Sequence, residues 1–208
     1  MAGTRTSELE AVNTMLSAVG EPPINNLDEQ KNADAAIARN ILTEISRDVQ
    51  SMGWHFNTST KVTFSPDSTT KEITLPESIV RIDINHTMEN AGNSDSRDIT
   101  QRGSRLFNRT DNTYEFTSDV KATVVYIFDW DEMPEPVRRY VTIKSARVFQ
   151  DRMVGSEKHH AFSREDEVRA LALLKEFQMD TSDASIFQNY DVFRIINRTD
   201  SAMVGRLH

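Results

Sequence analysis

The 208-residue sequence contains no cysteine. This absence excludes a disulfide framework, thiolate catalysis, and zinc or iron–sulfur sites built on thiolates. No apolar run approaches the roughly 18 residues that a membrane-spanning helix needs, and the first ten residues, MAGTRTSELE, lack the apolar core of a signal peptide. We therefore expect a soluble chain without a leader and without membrane insertion.

Positive charge and glycine are also scarce. Lysine and arginine number 24 against 32 aspartate and glutamate residues, and the resulting net charge of -8 makes the general surface repel phosphate backbones. With seven glycines, the sequence has neither GxxxxGK nor GxGxxG, and it also lacks HExxH and GxSxG. The five histidines have no metal-ligand spacing. We therefore predict no catalytic centre, no metal and no cofactor.

The sequence is nevertheless that of a folding chain, although its apolar fraction of 38% is modest. Ser7 and Glu10 have the spacing of a capping box, and apolar residues then recur on one helical face as far as Gly20. This pattern predicts an amphipathic helix of about three turns.

A second helix is predicted to begin near Asp28 or Asn32 and to end at Gly53, because isoleucine and valine recur there at spacings of three or four. After Gly53 the period becomes two, which predicts short antiparallel strands. The run 122–128 (ATVVYIF) is the strongest strand, and its continuous apolar character predicts burial on both faces.

Helical patterns return after residue 130. Acidic residues around Pro134 fit the start of a third helix, which is predicted to end at Gly155. Ser163 and Asp166 predict a capped start of a fourth helix.

This order predicts an α+β fold in which N- and C-terminal helices form a bundle and a mostly antiparallel β lobe is inserted between them. We assign residues 1–53 and 131–180 to the helical bundle and 54–130 to the β-rich lobe. Residues 181–208 form a predicted extended C-terminal arm. Its apolar residues predict that it docks on another subunit or partner; those of greatest interest are Phe187, Tyr190, Phe193 and Ile195.

Two groups of carboxylates could support glycoside hydrolysis, which needs one protonated and one ionised carboxyl group. The first comprises Asp129, Asp131, Glu132 and Glu135, and the second covers residues 165–167 (EDE). Both groups also lie where a helix N-terminus favours negative charge. We prefer this structural interpretation and keep a glycan-hydrolysing activity on capsule or peptidoglycan as the alternative.

The densest basic stretch contains Arg97, Arg102, Arg105 and Arg109. These side chains could contact phosphate or the acidic surface of a partner. Charge that protects a solvated sheet edge is the alternative, and we favour it.

Four blocks of the sequence resemble the tail tubular protein A family of short-tailed phages. They lie in the same order, at 11–24, 32–36 (NADAA), 49–57 (VQSMGWHFN) and 131–135 (DEMPE). The elements that contain them, namely the two N-terminal helices, the helix-to-sheet junction and the third helix, make up somewhat under half of the chain. Residues 58–119 and the tail after 180 match the family only loosely.

This resemblance implies a structural virion protein at the head–tail junction, assembled in the host cytoplasm. The family forms a dodecameric adaptor, or gatekeeper, ring between the portal protein and the tail nozzle protein, which is tail tubular protein B. Tail fibres attach nearby, and genomic DNA passes through the bore without specific binding. Within this picture Gly53, Trp54, Phe56 and Pro134 have structural roles at the junctions between elements.

Overall fold

The described part of this computed structural model, residues 5–27, 33–84, 98–155 and 157–181, contains four α-helices and five β-strands. It confirms the predicted α+β class. In chain order the elements are α1 (Glu8–Val19), α2 (Ala33–Ser51), β1 (Thr58–Phe64), β2 (Ile79–Asp83), β3 (Ile99–Arg102), β4 (Arg105–Asn108), β5 (Val120–Tyr126), α3 (Glu135–Met153) and α4 (Glu157–Thr181). The division into domains stays a prediction.

Helix α1 has the two ends that the sequence predicts. The Ser7 hydroxyl accepts a hydrogen bond from the Glu10 backbone N–H at 3.2 Å, and the Glu10 carboxylate accepts one from the Ser7 backbone N–H at 2.7 Å. Gly20 ends the helix in the left-handed conformation, with φ at 85°. Both ends therefore follow from local rules.

Replacing Glu10 with glutamine is expected to reduce stability in a pH-dependent way. The hydrogen bonds donated by the backbone and the side chain of Ser7 lower the pKa of Glu10 from its ordinary value of 4.5. Because the folded-state pKa is the lower one, the carboxylate stabilises the fold above the unfolded-state pKa, and this contribution is lost as pH falls through the folded-state pKa. Urea denaturation should show a difference between wild type and E10Q at pH 7 that disappears in acid. An equal difference at both pH values would contradict this explanation.

Helix α3 lies at the centre of the helical bundle and packs against α1, α2 and α4. The bundle core contains most of the apolar residues that recur along α1 and α2, together with residues of α3 and α4. Ile37 and Met52, which the same spacing of α2 predicts to be buried, are exposed. Its fully buried members include Val12, Met15, Leu16, Val49, Met133, Val137, Val141, Phe149 and Leu174. The predicted start of α2 at Asp28 or Asn32 lies outside the described residues.

The predicted capped start of the fourth helix at Ser163 is wrong. Helix α4 begins at Glu157 and continues through Ser163 and Asp166 without a break. The chain is interrupted at Gly155, where φ is 63°, and no glycine or proline follows until the helix has ended. A serine with an acidic residue three positions later therefore lies inside an established helix.

The strands form a three-stranded sheet in the order β1-β5-β2 and a hairpin of β3 and β4, and every pairing is antiparallel. Strand β5 is therefore central. Val124 and Val125 point to opposite faces and are both buried, which confirms the prediction for this part of the strand, whereas Lys121 is exposed. A β core, separate from the bundle core, contains Ile73, Leu75, Ile79, Ile84, Leu106, Phe116, Val120, Ala122 and Val124.

Three details of the predicted strand pattern are wrong. Trp54 and Phe56 precede the sheet, because residues His55–Asn57 form a 3₁₀ turn and β1 begins only at Thr58. The segment containing Ile73 and Leu75 makes isolated bridges instead of a strand. Strand β5 ends at Tyr126, before the aromatic and acidic residues that lead to α3.

Gly53 allows the chain to leave α2 and approach the sheet closely. Its φ is 79°, and a Cβ atom placed there would lie 3.1 Å from Val125 Cγ2 and 2.5 Å from the terminal nitrogen Nη2 of Arg81. The guanidinium of Arg81 is on a flexible side chain and can move, whereas Val125 belongs to the buried central strand. Only a residue without a side chain fits here without displacing a neighbour.

We expect Gly53→Ala to lower the free energy of unfolding by about 2 kcal/mol. Alanine is strained in the left-handed backbone conformation, and its Cβ atom would press against Val125. Gly20→Ala is the matched control, because its φ is 85° and nothing lies within 4 Å of the added Cβ. That change should cost only about 1 kcal/mol. If urea denaturation showed equal losses of stability for the two variants, the contact with Val125 would make no contribution to the effect of Gly53→Ala.

Candidate assembly surfaces

Hydrogen bonds hold the segment before α1 against the beginning of α3. We call the residues that make them the Thr6 clasp: Thr6, Trp130, Glu135 and Arg138. The Thr6 backbone N–H and hydroxyl donate to the Glu135 carboxylate at 2.8 and 2.5 Å. The Thr6 carbonyl accepts from Trp130 Nε1 and from Arg138 Nη1, both at 2.9 Å. The clasp therefore holds the segment before α1 against the bundle.

Arg138 is the buried charge of the Thr6 clasp, with 3% of its side chain exposed. Besides Thr6, its guanidinium donates to the carbonyls of Met133 at 2.8 Å and Asp131 at 2.6 Å. The Asp131 carboxylate lies 3.8 Å away and is 92% exposed, so the backbone carbonyls are the main partners of this cation. A buried guanidinium is tolerated because each of its three nitrogens donates to a backbone carbonyl.

From the sequence alone, Arg138 is expected only to form a salt bridge with the acidic residues near the start of α3, and nothing singles out Thr6. One signal was present for Arg138. It lies three and seven residues before Val141 and Ser145, which places it on the buried face of α3. No comparable pattern marks Thr6.

The candidate catalytic carboxylates are engaged in structural contacts. Glu135 belongs to the Thr6 clasp, and Glu132 accepts from the Asp129 backbone N–H at 3.3 Å. In the second group, Glu167 pairs with Arg147, and Glu165 pairs with Arg169 at 3.2 Å. Glu132 and Glu135 thus have the structural role that a helix start favours. Glu165 and Glu167 lie within α4, so the expected helix start at residues 165–167 is wrong and their contacts are salt bridges along and between helices.

Buried amides connect the bundle to the sheet. The Asn57 amide donates to the carbonyls of Gln50 at 2.8 Å and Tyr126 at 2.7 Å, while its oxygen accepts from the Trp54 backbone N–H at 2.8 Å. The Gln50 amide in turn donates to the Phe128 carbonyl at 3.1 Å and accepts from the Phe128 N–H at 2.9 Å. We call Gln50 and Asn57 the amide junction.

The predicted junction residues surround this network. Trp54 is buried in the bundle core, and its indole N–H donates to the Val49 carbonyl at 2.7 Å. Phe56 packs against the same core, with its ring 6.2 Å from that of Phe128. Pro134 is the N-cap of α3, so the helix begins one residue later, at Glu135. The structural roles predicted for these residues at the junctions stay predictions.

The β3–β4 hairpin brings together two of the four predicted arginines. Arg102 and Arg105 are directly paired in the register, and their guanidinium groups lie over the rings of Phe107 at 3.6 Å and Tyr114 at 4.3 Å. The two rings are themselves 4.8 Å apart in an edge-to-face arrangement. The result is a basic surface in which each guanidinium group lies over an aromatic ring.

The other arginines of this stretch are separate from that surface. Arg109 follows β4 and lies 3.3 Å from Asp98, and Arg97 is outside the described residues. Arg105 also pairs with Glu72 at 2.7 Å, and this hydrogen bond raises the pKa of the arginine. Part of the positive charge is therefore neutralised within the subunit.

The seam between α3 and α4 is held by charge as well as by apolar contacts. Arg147 of α3 contacts Glu167 of α4, and it also reaches Asp151 at 3.0 Å. Burial alone would lower the pKa of Arg147, but the two carboxylates raise it overall. Burial, with the nearby charge of Glu167, raises the pKa of the Tyr140 phenol at the same seam. Arg147 therefore remains charged and fixes α4 on the bundle.

Helix α4 nevertheless exposes large apolar side chains. Leu173 and Met179 are 57% and 66% exposed, and Val168 is also exposed. Leu173 borders a groove of about 430 Å³ between α1, α3 and α4. We call it the three-helix groove; its apolar lining consists of Ala18, Ile143, Ala146, Ala170 and Leu173. Such a surface is typical of a protein that is covered by a partner.

The predicted arm residues Phe187, Tyr190, Phe193 and Ile195 lie outside the described residues. Within the described part, no helix is both long and apolar enough to cross a bilayer. The same residues contain no group of three histidine, aspartate or glutamate side chains placed to hold a metal ion.

Comparison with known proteins identifies the family. A family model described as tail tubular protein matches residues 9–184. The chain belongs to the tail tubular protein family. Among curated relatives, tail tubular protein A of Klebsiella phage KP34 is 25% identical over 171 residues, which cover 81% of this chain and 86% of that protein.

Membership in this family makes the chain a structural protein of the phage tail, located in the virion tail and assembled with other tail components. The match extends from the second residue of α1 to just beyond α4. It therefore includes the amide junction, the three-helix groove and every residue of the Thr6 clasp except Thr6 itself. These features therefore belong to the part of the chain that the family shares.

Proposed function

We propose that this tail tubular protein is the adaptor, or gatekeeper, that joins the portal to the tail nozzle. In this role about twelve identical copies form a closed ring, and the genome passes through its bore during ejection. The family match over residues 9–184 carries the proposal, because it includes every helix of the bundle.

The charge of the subunit supports a channel through which DNA slides. Each copy has a net charge of -8, so twelve copies would carry roughly -96. Acidic groups around a bore repel phosphate and limit adhesion of the passing DNA. This charge requires no sequence-specific contact with the genome.

The proposed partners are the portal protein, the nozzle protein and the tail fibres. The basic surface of Arg102 and Arg105 suits an acidic partner surface, because its guanidinium groups are held in place by aromatic rings. The arm residues Phe187, Tyr190, Phe193 and Ile195 supply an apolar contact between copies. Assembly takes place in the host cytoplasm before the tail enters the finished virion.

Mass measurement in the presence of the portal tests this role. The purified chain is mixed with portal rings of the same phage, and native mass spectrometry measures the complex. We expect about twelve copies on each portal ring. Binding of a single copy, or no binding, would contradict the adaptor role.

Deletion of residues 185–208 tests the contribution of the arm. We expect the shortened chain to keep its helical circular dichroism signal but to lose most of its assembly on the portal, since the deleted residues lie beyond the family match that ends at 184. Unchanged assembly would show that the arm makes no contact that matters for the ring.

A further inference from the structure

The three-helix groove has the properties of a docking site for a short apolar segment. Its volume of about 430 Å³ lies within the range typical of ligand-binding pockets. Small residues from three helices line it, namely Ala18, Ala146 and Ala170, together with the exposed Leu173. Small side chains on neighbouring helices leave room for larger side chains from outside.

Charged side chains of both signs line the groove, and one arginine among them has no carboxylate partner within the described residues. Arg139 and Arg169 line it together with Asp166. Among the described residues, no carboxylate lies within salt-bridge distance of Arg139, and the pair between Arg169 and Glu165 is largely exposed. An occupant with apolar anchors and a negative charge would match both the apolar lining and this arginine.

Within the C-terminal arm, whose residues 182–208 contain three aspartates and three arginines, the first apolar stretch has this chemistry. Residues 185–193 read SIFQNYDVF, with one aspartate and no basic residue. Ile186, Tyr190 and Phe193 are large apolar residues of the kind that serve as anchors in a groove. Asp191 lies between two of these anchors and can face Arg139 or Arg169.

The arm is long enough to reach such a groove. Helix α4 ends at Thr181, and Leu173 lies eight residues earlier, or about 12 Å along the helix axis. Nine residues separate Thr181 from Tyr190 and can span up to roughly 30 Å. This length exceeds the roughly 12 Å back to Leu173, so the arm is long enough to enter a three-helix groove.

We propose that the three-helix groove of one copy receives residues 186–193 of the next copy in the ring, an inference that rests on the proposed adaptor function. A groove and an arm are two different surfaces of one chain, and contacts of this head-to-tail kind generate closed rings when the rotation closes. If the arm of a subunit entered the groove of that same subunit, neither the arm nor the groove would be available to join neighbouring copies in the ring.

Cysteine cross-linking tests this arrangement directly, because the chain contains no native cysteine. A variant with Ala146→Cys is mixed with a longer, tagged variant that carries Tyr190→Cys. The rings are assembled on the portal and then oxidised. We expect a cross-linked species with the mass of one tagged and one untagged subunit. The matched control replaces Ala146→Cys with Ala36→Cys on the exposed surface of α2, which should give at least tenfold less product.

The other outcomes are equally decisive. Rings that form without this cross-link, or with equal yields from positions 36 and 146, would overturn the docking inference and leave the adaptor role intact. A single chain carrying both Ala146→Cys and Tyr190→Cys that cross-links within itself would also overturn it. Failure to form rings at all would overturn the adaptor role, and the docking inference with it.

A charge placed in the groove gives an independent readout. Leu173→Asp should weaken ring assembly by roughly tenfold, because the carboxylate would lie where the arm buries its apolar anchors. Met179→Asp is the matched control, since Met179 is exposed on the same helix but does not line the groove. Equal effects of the two variants on assembly would contradict the proposal.

Discussion

Arg138→Met is expected to lower the free energy of unfolding by about 3 kcal/mol, the largest effect among single changes at the Thr6 clasp. Methionine can fill much of the space but cannot donate to the carbonyls of Thr6, Asp131 and Met133. The carbonyl of Thr6 keeps its bond from Trp130, whereas the other two lose the donor that the structure gives them. Urea denaturation followed by circular dichroism measures the loss.

Arg139→Met provides the matched control, because this neighbouring arginine is exposed. It should change the free energy of unfolding by no more than about 0.5 kcal/mol. Hydrogen exchange adds a local readout. Arg138→Met should increase exchange of the Thr6 amide, while Arg139→Met should not. Equal stability of the two variants would show that the buried guanidinium contributes nothing to the fold.

Asn57→Leu is expected to cost about 3 kcal/mol by breaking the amide junction. The change leaves the Tyr126 carbonyl without the Asn57 donor and the Trp54 backbone N–H without its acceptor. The Gln50 carbonyl loses one of two donors, because it still accepts from the Gly53 backbone N–H at 3.1 Å. Each buried polar group that loses its partner costs about 1–3 kcal/mol, and the apolar gain from leucine offsets part of the total. Thermal denaturation of the variant and the wild type measures the difference.

Asn40→Leu controls for the change of side chain, because Asn40 lies on the exposed face of α2. Its effect should stay within about 0.5 kcal/mol. A spectroscopic change is also expected. The tryptophan fluorescence of the Asn57→Leu variant should shift, because the Trp54 backbone N–H donates to the Asn57 side chain. A variant as stable as Asn40→Leu would mean that packing alone joins the sheet to the bundle.

The features that the sequence predicted correctly depend on neighbours in the chain. The Ser7 and Glu10 capping box is a reciprocal contact over three residues, and Gly20 ends α1 through its own backbone conformation. The fold class followed from the change of hydrophobic period after Gly53. Such contacts are determined locally, so their residue types are sufficient to identify them.

The features that the sequence did not reveal depend on contacts between distant segments. Arg138 joins residues 6, 131 and 133, and no local pattern specifies that its partners are carbonyls. Asn57 places a 3₁₀ turn where the alternation predicted a strand, because its amide bridges α2 and β5. Ser163 failed as a helix start because the chain had already become helical after Gly155. The three-helix groove likewise needs three helices in their packed positions.

A reconstruction of the tail within the intact virion tests the central claim most directly. The account predicts a closed collar of about twelve copies of this fold between portal and nozzle, with density for residues 186–193 of each copy lying between α1, α3 and α4 of its neighbour. A virion in which this fold occurs as isolated copies, or away from the head–tail junction, would contradict the account.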